Sequence, residues 1–222
     1  VPLHMLASVV TFGAIYISPA LMQACAAAGI TIALLDRVGR FQARVEGPVS
    51  GNVLLRRRQY SVSEAPDEIV RSFVTAKIAN QRAVLQRALR DHGAETAPER
   101  RQAIETGVAR LGMILQRASL SKDGVDVLRG AEGEAGYVYF GVFNDLIRAP
   151  EPELAFRGRS RRPPLDRVNA LLSFLYTLLT HDCRSAAESV GLDPAVGFLH
   201  RDRPGRPSLA LDLMEELRPA LA

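Results

Sequence analysis

The stretch Val70-Arg-Ser-Phe-Val-Thr-Ala-Lys-Ile-Ala-Asn-Gln-Arg-Ala-Val-Leu-Gln-Arg-Ala-Leu89 sets the architecture of this chain. Val70, Phe73, Val74, Lys77, Ile78, Gln81, Val84, Leu85 and Leu89 recur at steps of three and four, which is the rhythm of a helix with one packed face. Asp91-His92-Gly93 stops that helix. A second helix is expected to begin near Thr96, with Pro98 and Glu99 in its first turn, and to continue through Ile104, Val108, Leu111 and Leu115. Beyond it, helices are expected at 123–148, 164–181, 183–190 and 208–221, separated by an Arg/Pro stretch at 157–164 and a Gly/Pro/Arg stretch at 197–207.

Upstream of residue 53 the pattern changes. Val9-Val10-Thr11-Phe12 and Ile30-Thr31-Ile32-Ala33-Leu34-Leu35 are β-branched or wholly apolar. Between them Ser18-Pro19 opens a short helix over Ala20 to Ala28, and Gly29 closes it, so the order is strand, helix, strand. Asp36-Arg37-Val38-Gly39 turns into Arg40 to Val45, where Phe41, Ala43 and Val45 alternate with polar neighbours as in a half-exposed strand. Gly47-Pro48-Val49-Ser50-Gly51-Asn52 reads as a linker. The expected class is α+β, mainly α: a small β-rich part over residues 1–50, then a helical part over 51–222. No solenoid repeat is present.

The chain has 222 residues, 47% of them hydrophobic, so it can bury a core and is not a disordered polymer. No apolar run approaches the ~20 residues of a membrane-spanning helix, and the chain reads as soluble. Val1-Pro2-Leu3-His4 resembles neither a signal peptide nor a natural start, so a fragment is expected. Cys25 and Cys183 make neither a disulfide framework nor a metal clip, and are expected as buried thiols in a reducing, cytoplasmic setting. Lys and Arg number 28 against 24 Asp and Glu, a net charge of +4 that permits a polyanionic partner. Lys77 and Lys122 are the only lysines, so this charge is nearly all guanidinium, suited to phosphate though equally a product of base composition.

Three segments carry candidate chemistry. Val125, Leu128, Ala135, Tyr139, Val142 and Leu146 form one apolar stripe, and Glu132 fills its single break. A packed carboxylate needs a cation opposite it, an Arg or a metal, unless that edge is wetter than the stripe suggests; Glu134 points elsewhere, into solvent. In Gly197-Phe-Leu-His-Arg-Asp-Arg-Pro-Gly-Arg-Pro207, His200 sits where an apolar triplet meets a charged loop. On the following helix Asp212 and Glu215 share a face, with Leu213, Met214 and Leu217 packing behind; the pair is either solvated or gathered on a shared cation. Together, Glu132, His200, Asp212 and Glu215 have the composition of an Mg2+ or Mn2+ site. Arg157, Arg159, Arg161, Arg162 and Arg167 precede an apolar helix, and Arg201, Arg203 and Arg206 follow His200. Both groups suit phosphate contact, as do Arg56-Arg57-Arg58 and Asn80-Gln81-Arg82, and both equally fit a solvated surface.

The runs Leu128-Arg-Gly-Ala-Glu-Gly-Glu-Ala135, Arg161 to Tyr176 and Gly191 to Pro219 resemble the CRISPR-associated endonuclease/integrase family, Cas1, and further segments extend the resemblance over almost the whole chain. The resemblance implies a small N-terminal β domain before an α-helical catalytic domain. It also implies that Glu132, His200 and Glu215 are the catalytic residues and hold the metal, with Asp212 as an outer or alternate ligand. Implied further are spacer insertion into a repeat array, prespacer, branched and repeat DNA as substrates, a homodimer, the bridging partner Cas2 and, in some relatives, an iron–sulfur exonuclease. Family members carry strands before the Pro2-Leu3-His4 segment and helices after Arg218-Pro-Ala-Leu221, so a truncated catalytic domain is expected here. The competing reading is a catalytically silent DNA-binding or assembly module whose acids are paired with arginines.

Overall fold

A computed structural model describes residues 2–37, 41–47, 53–148 and 151–221. β1 (Ser8–Phe12) lies parallel to β2 (Thr31–Leu35), and β2 lies antiparallel to β3 (Phe41–Val45), in the order β1-β2-β3. Parallel neighbours need a crossover, and α1 (Pro19–Ala27) supplies it. Ser18 Oγ accepts the Leu21 N–H at 3.2 Å, Pro19 takes the first helical position, and Gly29 at φ +70° closes the turn into β2. Cys25, Ile30 and Ile32 are the buried centre of this layer.

The helical part is built around α3 (Asp67–His92), which packs against α4 (Pro98–Leu120), α5 (Val125–Gly141) and α8 (Ser208–Leu221). Its buried face presents Val70, Val74, Ile78 and Leu85, the stripe expected from the sequence, to Ile104 and Leu111 of α4 and to Leu128 and Ala135 of α5. α2 (Val53–Ser63) is stitched to the loop after α7 (Arg167–Ser189). The Arg56 Nε–H donates to the Gly191 carbonyl at 2.9 Å, and the Gln59 side chain exchanges hydrogen bonds with the Asp193 backbone at 2.8 and 2.9 Å.

Several boundaries differ from expectation. The helix expected over 123–148 breaks at Val142, so that α5 ends at Gly141 and a short α6 (Phe143–Leu146) follows. Tyr139, Phe140, Phe143 and Phe156 gather there into one aromatic cluster, and Asn144 Oδ1 accepts the Phe156 N–H at 2.8 Å; these interactions outweigh one more turn of helix. The helices expected at 164–181 and 183–190 are one continuous α7, because no Gly or Pro interrupts Arg167–Ser189 and the buried stripe continues through Cys183 and Ala187. The expected linker, from Pro48 onward, and the turn residues Val38 to Arg40 lie outside the described residues.

In β3 the expected alternation fails. Ala43 is exposed while Arg44 is half-buried. Arg44 Nε–H donates to Glu46 at 2.8 Å, and its NH2 pairs with Glu188 of α7, which also receives Arg184 at 3.2 Å. Partial burial, then the neighbouring Glu188 carboxyl, push the Glu46 carboxyl up to about 7. Glu188 moves the other way: burial raises it, but the hydrogen bonds from Glu46 and Arg44 and the Arg44 charge together hold it below its ordinary value. Both thiols are buried, and burial pushes Cys183 up to about 11.

The folded chain therefore holds the Glu46 proton to higher pH than the unfolded chain does. This contribution to stability falls as pH rises between the ordinary carboxyl value and about 7. Glu46→Gln replaces the titrating carboxyl with an amide that stays neutral at every pH. It is expected to raise the melting temperature by roughly 2 °C at pH 8 and to leave it nearly unchanged at pH 4.5. Thermal melts at the two pH values check this; equal shifts at both would contradict it.

Candidate active site

The site is assembled where α3, α5 and α8 meet. Lys77 occupies a position of the buried stripe of α3, between Val74 and Ile78, and only 6% of the residue is exposed. An ammonium buried there requires anionic partners. Its Nζ donates to Glu132 Oε1 on α5 and, at 2.5 Å, to Glu215 Oε2 on α8. The cation opposite Glu132 is thus a lysine, where the sequence suggested an Arg or a metal. Glu132 keeps 29% of its side chain exposed, whereas Glu215 keeps 3%. The second oxygen of Glu215 receives Arg218 NH1 at 2.7 Å. Burial pushes the Glu215 carboxyl up, but the Lys77 and Arg218 charges pull it further down, so it lies below its ordinary value.

Asp212 and Glu215 are both buried, on the packed face of α8, and Leu217, expected to pack behind them, is exposed. Asp212 is fully buried. Its Oδ2 accepts the N–H groups of Phe198 and Leu199 at 2.6 and 3.0 Å, and its Oδ1 accepts the His200 N–H at 2.9 Å and lies 2.6 Å from His200 Nδ1. These donors occupy both oxygens of the carboxylate, and Asp212 stands behind the imidazole. From the opposite side the Arg129 guanidinium donates twice to the Leu199 carbonyl, at 2.9 and 2.6 Å. Gly197 is required for this packing: a Cβ there would lie 2.5 Å from the His200 carbonyl oxygen and 2.6 Å from Ser208 Cβ.

With Nδ1 directed to Asp212, Nε2 is turned toward α8, 3.9 Å from Glu215 Oε1. His200 and Glu215 are therefore neighbours, whereas Glu132 joins them only through Lys77. Among the described residues no group of three or more His, Cys, Asp and Glu side chains is gathered closely enough to hold a metal ion. The chemistry of the set nevertheless fits a hard divalent cation: two carboxylates converge on one positive centre, and an imidazole nitrogen oriented by a third carboxylate, Asp212, stands next to Glu215.

A cavity of about 720 Å³ opens beside Glu132 and Lys77. Gly133 and Gly136 leave one wall as bare helix backbone, and Tyr139, Phe140 and Tyr176 line it as well. Arg159, Arg161 and Arg162 reach its rim. Arg159 is held there, donating to the Ser160 carbonyl at 2.6 Å and Asn169 Oδ1 at 2.7 Å and lying over the Tyr176 ring. His200 instead faces a separate hollow of about 470 Å³, with Arg129, Arg201 and Asp202 on its walls.

The other candidate arginines divide. Arg157, Arg167 and Arg203 are exposed and line neither hollow, Arg206 is half-buried, and Arg201 sits 3.6 Å from Asp126. Asn80 and Arg82 join helices: Asn80, exposed, donates to the Glu216 carbonyl of α8 at 2.8 Å, and Arg82, half-buried, to the Val108 carbonyl of α4 at 3.3 Å. Glu134, expected in solvent, pairs at the surface with Arg117. Sequence reasoning missed Lys77 as a site residue, although a lysine in an apolar stripe was the available signal.

A small crossover sheet precedes a helical body in which acids and a histidine come together from distant segments, an arrangement shared with one protein family. The family model for CRISPR associated protein Cas1 matches residues 1–222. The chain belongs to that family. It is 71% identical over 221 residues to a CRISPR-associated endonuclease Cas1 of Rhodospirillum rubrum, covering 100% of this chain and 64% of that protein. Its fold matches a partial Cas6-RT-Cas1–Cas2 complex with a TM-score of 0.70 and 26% identity, over 97% of this chain and 63% of that one. It also matches a casposase bound to integration product with a TM-score of 0.72 and 25% identity, over 96% of this chain and 58% of the casposase. The chain thus spans less than two thirds of these relatives. No helix among the described residues is long and apolar enough to cross a membrane.

Asp212→Ala removes the acceptor of three backbone N–H groups and of the imidazole. The expected loss of stability is about 3 kcal/mol, read from urea denaturation midpoints. A loss under about 0.5 kcal/mol, the size of an ordinary surface substitution, would show that the loop before α8 does not depend on this carboxylate.

Proposed function

We propose that this chain carries the catalytic centre of a CRISPR DNA endonuclease and integrase, which inserts foreign DNA fragments into a repeat array by phosphodiester transesterification. One observation carries the reading: Glu132 and Glu215, from different helices, converge on a single cationic point, and His200 directs its free nitrogen toward the same carboxylate. Membership in the Cas1 family and the likeness to a casposase support it. Residues 1–50 are proposed as a partial β-rich domain and 51–222 as the catalytic domain.

A bound Mg2+ or Mn2+ would polarise the scissile phosphate and stabilise the departing oxygen. Glu132, Glu215 and His200 Nε2 are the residues that would hold it. Asp212 fixes the imidazole tautomer that leaves Nε2 free, and Arg159, Arg161 and Arg162 present positive charge to the phosphates of a strand entering the cavity. In the transfer, the oxygen of a DNA 3′-hydroxyl forms a new bond to phosphorus while the bond to the departing oxygen breaks. The proton lost by one hydroxyl is regained by the other. Water in place of the 3′-hydroxyl gives strand cleavage.

Prespacer, branched and repeat DNA are the proposed substrates. Cas2 is the proposed bridging partner, in keeping with the similarity to a Cas1–Cas2 complex, and a Cas-family iron–sulfur exonuclease is a further proposed partner. The proposed homodimer rests on the family resemblance alone. A second reading, a silent DNA-binding or assembly module, draws on the observation that Lys77 and Arg218 already balance Glu132 and Glu215 without any metal.

Glu132→Ala and His200→Ala in the full-length protein are each expected to lower strand transfer into repeat DNA by about a hundredfold or more, with folding retained. Undiminished transfer in either variant contradicts the assignment. DNA binding indifferent to chelation, with no cleavage in Mn2+, would favour the silent module.

A further inference from the structure

Lys77 remains unexplained by the chemistry above, because its ammonium stands at the point on which two of the proposed ligands, Glu132 and Glu215, converge. It bridges Glu132 and Glu215, and Arg218 engages the oxygen of Glu215 that Lys77 leaves. Lys77 and Arg218 balance Glu132 and Glu215, and Asp212 behind His200 adds one further carboxylate. A divalent cation added to this set leaves an excess of positive charge, which an anion would offset. A cation entering between the carboxylates must also displace the ammonium.

The structure offers the ammonium somewhere to go. Gln81 lies one turn further along the same face of α3, is 2% exposed, and lines the same cavity. Its Oε1 is buried without a hydrogen-bond partner among the described residues. A buried acceptor left unsatisfied is costly, and Gln81 lines the same cavity as Lys77, four residues away on the same helix.

We propose that Lys77 is a resident counter-ion of the site: it holds Glu132 and Glu215 together in the metal-free protein, competes directly with a divalent cation, and on displacement moves its ammonium to Gln81 Oε1. There it adds positive charge to the cavity wall that a DNA phosphate would face. Lys77 is thus a positioning residue that makes metal loading unfavourable until a polyanion is present. This inference rests on the metal-dependent reading of the site.

The test is Mn2+ binding to the intact protein without DNA, followed by electron paramagnetic resonance of the free ion. Lys77→Met, which keeps the length of the side chain and removes its charge, is expected to tighten Mn2+ binding by at least about tenfold. Metal-free Lys77→Met is expected to melt lower than the unsubstituted protein, and Mn2+ is expected to restore it. Gln81→Leu, which keeps Lys77 and removes its alternative acceptor, is expected to weaken Mn2+ binding about threefold or more. Unchanged or weaker binding in Lys77→Met, where Glu132→Ala and His200→Ala abolish binding, overturns the role of Lys77 and leaves the metal reading intact. Binding indifferent to Glu132 and His200 overturns both.

Discussion

A single buried ammonium joins the parts of this molecule that matter for its chemistry. Lys77 ties α3 to α5 through Glu132 and to α8 through Glu215, and α3 is the helix around which α4, α5 and α8 pack. Buried ion pairs contribute little net stability, since desolvation offsets most of the attraction, but removing one partner leaves an uncompensated charge. Such a cluster is therefore better understood as fixing geometry than as strengthening the fold. Around it the neighbouring groups are held by independent means: Asp212 by the backbone of residues 198–200, Arg129 by the Leu199 carbonyl, and Arg159 by Asn169.

Much of the fold was legible in the sequence because local signals agreed with tertiary demand. Ser18-Pro19 and Gly29 bound α1 as their backbone preferences require, and the stripe of α3 buries the residues its spacing selected. The failures are places where a distant contact overrode the local pattern. α5 stops at Gly141 because Phe143 turns into an aromatic cluster whose partner Phe156 comes from beyond the helix. β3 turns Arg44 inward because its partner Glu188 lies on α7, which alternation along five residues cannot reveal.

The site was legible in part for the same reason. Glu132 was conspicuous as the one acid in an apolar stripe, and a partner cation was required, but its identity depended on a helix 55 residues earlier in the chain. Lys77 itself was read as a member of a packed face, since a long aliphatic stem satisfies the periodicity as well as a leucine does. Asp212 and Glu215 share a face as expected, yet only the structure shows that this face is buried and that the two acids do different work. One is filled by backbone donors and the other is open to side-chain cations. Among the arginines, charge alone could not separate Arg159, pinned over Tyr176, from Arg157, which is exposed and lines neither hollow.

Glu132, Glu215 and His200 are proposed to serve one cation position, occupied by the Lys77 ammonium when no metal is bound. Anomalous diffraction from crystals of the protein soaked in Mn2+ tests it directly. The account predicts a single manganese bonded to both carboxylates and to His200 Nε2, with the Lys77 side chain moved off them. A manganese bound elsewhere, with Lys77 still between the two acids, would contradict it.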